Sequence, residues 1–163
     1  MIFKHKVPIK KSEPIVKYKE TVSMKSDRDC LSKTPNKHNR IYMRAEPLSE
    51  SFCSDIESGK ISLNQDAKQR AKYLVEHHGF DSNDSKKIWC FGPNTFDSNI
   101  LVDVCKGVAS SNDVTDTIVA GFQWGSSEGV ICNESLRGKV KRYFFLLFLK
   151  TYYSFYLKVF ALI

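Results

Sequence analysis

The sequence lacks the short motifs with which small enzymes commonly bind a nucleotide or a metal ion. It contains no Gly-x-x-x-x-Gly-Lys-Ser/Thr motif, which excludes a phosphate-binding loop of that type. Its five cysteines form no Cys-x-x-Cys pair, which excludes a zinc ribbon and a dense disulfide framework. Its four histidines do not have the spacing of metal ligands either. We therefore expect neither a cofactor nor a metal in this chain.

The amino terminus also lacks the features of a secretory signal. The chain begins Met-Ile-Phe-Lys-His-Lys-Val-Pro, which is too charged for a signal peptide. The sequence therefore predicts a cytoplasmic protein with reduced thiols.

The composition is that of a folded chain with an uneven distribution of charge. Its 163 residues are 42% hydrophobic and 12% aromatic, which predicts one domain with a modest core and excludes a wholly disordered chain. Residues 1–44 contain 12 Lys and Arg against 4 Asp and Glu, whereas residues 45–163 contain 13 against 14. A basic block of this kind is typical of proteins that bind a phosphate-rich partner or an anionic membrane. The alternative is a solvated basic surface without a partner.

The pattern of apolar residues predicts strands and helices mixed along the chain. Alternation of β-forming residues favours strands, and apolar residues at helical spacing with capping residues favour helices. Strands are predicted at 15–22, 40–46, 88–91 and 100–104, helices at 48–58, 63–78 and 112–127, and one further helical turn within 81–87. The order shows no repeat, which indicates the α+β class.

The carboxyl-terminal stretch is different in composition from the rest of the chain. Nine of residues 143–163 are aromatic, and the only charged residues there are Lys150 and Lys158. The stretch is long enough to span a bilayer, but Lys150 would then lie in the hydrocarbon at a cost of about 2.5–3.5 kcal/mol. Our first interpretation is translated A/T-rich non-coding sequence. A membrane anchor is the second, and a functional helix is the third.

Three separated motifs resemble eukaryotic and archaeal translation elongation factor 2. They are Ser-Lys-Thr-Pro-Asn-Lys-His-Asn-Arg-Ile-Tyr-Met at 32–43, Lys-Ile-Trp-Cys-Phe-Gly-Pro at 87–93 and Val-Ala-Gly-Phe-Gln-Trp at 119–124. Residues 8–22 also resemble the end of domain III of that factor. The resemblance covers residues 7–138, in the same order as in the family and with similar gaps.

The resemblance divides the chain into three parts. Residues 1–24 correspond to the end of domain III and a linker, and residues 25–138 to a partial domain IV. Residues 139–163 have no counterpart, and we interpret them as read-through. The implied fold is α+β, with mixed strands and helices, a helical insertion, and an irregular or helical apolar tail.

The resemblance also implies a role in translation. The family promotes GTP-dependent translocation of tRNA and mRNA, and domain IV is the arm that enters the decoding site of the small ribosomal subunit. The implied partners are therefore the ribosome, through its rRNA, and tRNA, with no small-molecule substrate. The chain lacks the GTPase domain, so no catalytic residue is assigned and no activity is expected from this fragment alone.

The candidate RNA-binding residues lie in the first motif. They are Asn36, Lys37, His38, Asn39 and Arg40. Amides and imidazole can donate hydrogen bonds to phosphate, 2′-hydroxyl groups or base edges, and the two cations supply charge. Alternatively, the two asparagines only close a turn through their own backbone.

Four aromatic residues and two cysteines are assigned to the core. The aromatic residues are Trp89, Phe91, Phe122 and Trp124, for which stacking against bases is the alternative. Cys90 and Cys105 have apolar neighbours, so we expect small core side chains rather than nucleophiles. Two further hypotheses are a stand-alone module that binds RNA or protein, and a fragment held at a membrane by the tail.

Overall fold

The α+β class is confirmed by the arrangement of strands and helices. A computed structural model describes residues 12–33, 39–105 and 112–147. Within these residues the elements in chain order are β1 (Cys30–Lys33), β2 (Asn39–Pro47), α1 (Glu50–Glu57), α2 (Ala67–His78), α3 (Ser82–Lys86), β3 (Ile88–Gly92), β4 (Asn99–Asp103), α4 (Asn112–Ser127) and β5 (Lys139–Leu147).

The five strands form one mixed sheet in the order β1-β2-β5-β4-β3. β1 and β2 are antiparallel, as are β3 and β4, and β5 is antiparallel to β2 but parallel to β4. Parallel neighbours need a crossover connection, and α4 lies in the connection between β4 and β5. β5 therefore joins the two antiparallel pairs into a single sheet.

The core lies on both faces of the β3–β4 half of the sheet. Because side chains alternate along a strand, Leu101 points to one face and its neighbours Ile100 and Val102 to the other. The first face packs against α4, in a cluster of Ile41, Met43, Cys90, Leu101, Ile118 and Phe122. The second packs against α1 and α2, in a cluster of Phe52, Ile56, Ile61, Leu74, Ile88, Phe91, Ile100 and Val102.

Capping residues determine where α2 begins and ends. The helix begins at Ala67 because the Asp66 carboxylate accepts a hydrogen bond from the Gln69 amide at 3.3 Å, and the predicted start at residue 63 is wrong. It ends at His78, because Gly79 follows with a φ of 61°, a left-handed conformation that glycine adopts without strain. The other predicted helices are confirmed with bounds that differ by at most two residues, and the helical turn predicted within 81–87 is the short helix α3.

The strand predicted at 15–22 is wrong. Residues 12–19 are exposed and form no regular structure, and only Glu20 makes an isolated bridge, to Leu136. Alternation of β-forming residues indicates a strand only where another strand is available to pair with it. Conversely, β1 was not predicted, because its four residues Cys-Leu-Ser-Lys show no clear alternation of polarity.

The prediction of an irregular or helical tail is also wrong for residues 139–147, which form strand β5. Valine, tyrosine and phenylalanine in this stretch favour extended backbone, and β2 and β4 provide partners on both sides. Residues 148–163 lie outside the described residues. The interpretation of residues 139–163 as read-through without a counterpart in the family stays a prediction. Within the described residues, no helix has the length and apolarity needed to cross a bilayer.

Arg137, two residues before β5, connects this region to both ends of α1. Its Nε lies 2.7 Å from Oε1 of Glu57, and its Nη2 lies 2.7 Å from Oε1 of Glu50. The hydrogen bonds from Arg137 hold the pKa of each glutamate below its ordinary value of 4.5. The pKa of Arg137 itself is raised by the same contacts.

We predict that Arg137→Gln lowers stability and weakens its dependence on acid pH. A carboxylate with a lowered pKa stabilises the folded state above its unfolded pKa, and this contribution disappears as pH falls through the folded pKa. Chemical denaturation of the natural protein should therefore show stability falling between about pH 5 and 3, and the variant should show a smaller fall. Arg28→Gln is the matched control, since Arg28 is exposed and has no ion pair among the described residues. Equal pH dependence in the two variants would contradict the assignment.

We also predict that the fold requires β5. A chain that ends after Gly138 should lose cooperative thermal unfolding, because β2 and β4 would each lose the backbone hydrogen bonds of a neighbouring strand. A chain that ends after Leu147 keeps every described element and should unfold as the full chain does, when both are followed by circular dichroism. The same midpoint temperature for both truncated chains would show that β5 is not part of the fold.

Candidate nucleic-acid interface

The β1–β2 hairpin presents two cations at the end where its strands are connected. Lys33 and Arg40 are directly opposite each other in the register, and both are exposed. Side chains of directly opposed residues lie about 5 Å apart at Cβ, and like charges in such a pair destabilise the sheet. An anion bound between the two side chains would remove this repulsion.

The alternation of β2 explains why Arg40 points away from the core. Ile41, Met43 and Ala45 are each 1% exposed, and the first two pack in the cluster beneath α4. Residues between them point to the other face, where Arg40 is exposed and Arg44 is half-buried. The buried positions of the strand thus determine the direction of the cations.

Two of the five predicted RNA-binding residues lie in the described part of the chain. Asn36, Lys37 and His38 lie outside the described residues. Asn39 is the first residue of β2 and pairs with Leu147, and Arg40 follows it. The assignment of these five residues to RNA therefore stays a prediction.

Ion pairs divide the seven basic residues of the first quarter that the structure describes into two groups. Three are neutralised within the protein: Lys19 by Asp97 at 3.5 Å, Lys25 by Glu46, and Arg44 by Asp29 at 2.7 Å. Four have no ion-pair partner among the described residues, namely Lys17, Arg28, Lys33 and Arg40. The uncompensated charge on the hairpin therefore lies at its connected end, whereas the charge of Arg44 is balanced locally.

Three of the four aromatic residues assigned to the core are in it. Phe91 and Phe122 are fully buried, and Trp89 is partly buried against the same cluster as Phe122. Trp124 is 51% exposed, so its assignment to the core is wrong. It follows Phe122 by two residues on α4, which places it about 200° further around the helix and away from the sheet.

Cys90 and Cys105 both lie in apolar surroundings. Cys90 is buried in the α4-facing cluster, and burial raises the pKa of its thiol to about 12. Cys105 is half-buried and packs against the same cluster. These positions agree with the expected role of both residues as small core side chains.

A polar cluster between α1 and α2 has no counterpart in the sequence-based assignment. The carboxylate of Asp55 accepts hydrogen bonds from Lys60 at 2.9 Å and Tyr73 at 3.0 Å, and lies 3.0 Å from Nε2 of His78. Nδ1 of His78 is buried without a hydrogen-bond partner among the described residues. The His78–Asp55 pair therefore connects two helices. Contacts between residues so far apart in sequence leave no local signal.

One family model matches the chain. Its description is elongation factor G, domain IV, and the match covers residues 59–142. This range is just over half of the chain. It includes the second and third motifs of the resemblance, strands β3 and β4, helix α4 and the first residues of β5.

The burial of Cys90 predicts selective reactivity of the thiols. At pH 8 a pKa of about 12 leaves roughly one molecule in 10,000 as the thiolate, so maleimide should not label Cys90 in the folded protein. Cys132 is exposed and should be labelled first, although its hydrogen bond to Glu20 raises the pKa of its thiol. Peptide mapping by mass spectrometry distinguishes the two. Labelling of Cys90 at the rate of Cys132 without denaturant would contradict its placement in the core.

Proposed function

This chain belongs to the elongation factor G domain IV family, and we propose that it contacts ribosomal RNA through the connected end of the β1–β2 hairpin. Membership of the family implies a translation elongation factor and association with the ribosome in general. The observation that supports the proposed contact is the opposed, exposed pair Lys33 and Arg40, which has no compensating carboxylate among the described residues.

The finer part of the proposal concerns the kind of factor and its position on the ribosome. We propose a relative of eukaryotic and archaeal elongation factor 2 whose hairpin enters the decoding site of the small subunit, next to tRNA, in the cytoplasm. The motifs at 32–43, 87–93 and 119–124 support this assignment. The chain has no phosphate-binding loop, so the proposal gives it no GTP site and no hydrolytic step.

The physical basis of the contact is counterion release. Cations that bind phosphate groups displace condensed counterions, so log affinity falls with log salt by roughly 0.7–0.9 per contact. Lys33 and Arg40 lie on neighbouring strands, which fixes their backbones relative to each other before binding. Residues 34–38 connect these strands, so Lys37 and His38 follow Lys33 closely along the chain.

A second candidate function is a stand-alone RNA-binding module without a role in translation. One observation favours it: all five strands of the sheet and both core clusters lie between residues 30 and 147. Binding to isolated small subunits in preference to unrelated structured RNA of equal length would favour the ribosomal role over this alternative.

We predict that Lys37→Ala combined with Arg40→Ala flattens the salt dependence of binding to small ribosomal subunits. Measured between about 50 and 200 mM salt, the slope of log affinity against log salt should decrease by up to about 1.4–1.8, the value for two phosphate contacts. Circular dichroism should be unchanged, because Arg40 is exposed and does not contact either core cluster.

The matched control is Lys68→Ala combined with Lys86→Ala. These lysines lie on α2 and α3, are exposed, and have no ion pair among the described residues. The control therefore removes the same net charge at positions distant from the hairpin. Its slope of log affinity against log salt should equal that of the natural chain. An unchanged slope in the folded Lys37/Arg40 variant, or an equal decrease in both variants, would contradict the proposal.

A further inference from the structure

The amino-terminal segment (residues 12–29) is attached to the rest of the protein mainly through one residue. Glu20 is 6% exposed and is the only buried residue in the segment, whereas residues 12–19 are all exposed. Neither core cluster contains a residue of the segment. Its other polar contacts with the described residues include surface ion pairs and two hydrogen bonds between Ser26 and Ala45.

The Glu20 carboxylate binds to the loop between α4 and β5 (residues 129–135). It accepts hydrogen bonds from the backbone amides of Cys132 at 2.9 Å, Ile131 at 3.1 Å and Glu134 at 3.3 Å. The thiol of Cys132 donates a further bond at 3.3 Å. Burial raises the pKa of Glu20, but the hydrogen bonds outweigh it and the net pKa is lowered. The carboxylate is therefore charged at neutral pH.

The loop has the shape that a carboxylate requires. A methyl group at Gly129 would overlap the carboxylate of Glu20, so only glycine leaves room for it there. The backbone of Glu20 is bound as well. Its amide donates a hydrogen bond to the carbonyl of Ser135 at 3.0 Å, and its carbonyl accepts one from the backbone amide of Arg137 at 2.9 Å. Side chain and backbone of one residue thus provide most of the attachment.

We propose that Glu20 is a releasable anchor, and that the amino-terminal segment detaches from the 129–135 loop while the sheet and its core remain folded. Since neither core cluster contains a residue of the segment, its release leaves both clusters in place. Water can hydrate the released carboxylate and the freed amides. The anchor thereby sets the direction of residues 12–19, independently of RNA binding by the hairpin.

Two variants of the full chain test the anchor, and each disturbs it differently. Glu20→Gln keeps the size of the side chain but removes its charge, and Gly129→Ala keeps the charge but displaces the carboxylate. Trypsin should cleave after Lys25 and Arg28 about tenfold faster in both, a factor that corresponds to about 1.4 kcal/mol. Hydrogen exchange at the amides of residues 131–134 should also become faster. Glu13→Gln, at an exposed position of the same segment, is the control and should change neither rate.

Protection of the sheet distinguishes local release from general unfolding. We expect hydrogen exchange in β2, β4 and β5 to be the same in both variants as in the natural chain. Unchanged cleavage and exchange in folded Glu20→Gln and Gly129→Ala would overturn the proposal. Loss of protection across the sheet in either variant would also overturn it, since the segment would then be part of the cooperative core.

Discussion

The pairing of β5 with β2 on one side and β4 on the other is the interaction on which the rest of the structure depends. Each antiparallel pair, β1–β2 and β3–β4, is formed by residues close in sequence, but a two-stranded sheet is marginal in water. β5 supplies backbone partners to β2 along its whole length and to β4 over residues 140–143. The cluster beneath α4 can then include Ile41 from β2 and Leu101 from β4. The outward direction of the Arg40 side chain therefore also depends on β5, because the burial of Ile41 and Met43 on β2 determines it.

Residues 135–138, immediately before β5, connect several parts of the molecule. The carbonyl of Leu136 accepts a hydrogen bond from the Asn99 side chain at 2.7 Å, and the carbonyl of Gly138 accepts one from the Leu48 amide at 2.8 Å. Arg137 binds both ends of α1, and the backbone of Glu20 pairs alongside. The amino-terminal segment, α1 and β4 therefore meet where β5 begins, which aligns the strand before its long pairing with β2.

The sequence pattern predicted those helices and strands that are determined by residues close together in the chain. The helix from 112 to 127 and the strands at 88–91 and 100–104 follow from periodicity and capping, and the structure confirms them. Three features depend on contacts distant in sequence and were not predictable in this way. The aromatic stretch around Tyr143 forms a strand because two partners are available, residues 15–22 do not because none is, and Glu20 is buried because amides more than 110 residues later bind it.

The same limit applies to the candidate interface. Charge counting found the basic first quarter, but only distances separate Arg44, which is neutralised by Asp29, from Arg40, which is not. The position of Trp124 on an amphipathic helix suggested a buried side chain, although a difference of two residues from Phe122 places the indole on the solvent side. Neighbouring positions of one element thus differ in role according to the face of the sheet or helix they occupy.

The strand order also has a consequence for synthesis of the chain on the ribosome. β2 is made early, but its partner β5 follows about 100 residues later, which takes roughly 5–20 seconds at about 5–20 residues per second. During that interval the apolar side of β2, with Ile41 and Met43, has neither its central strand nor α4 to cover it. The hairpin therefore emerges as an incomplete sheet edge, and the nascent chain is most open to mispairing before its last strand arrives.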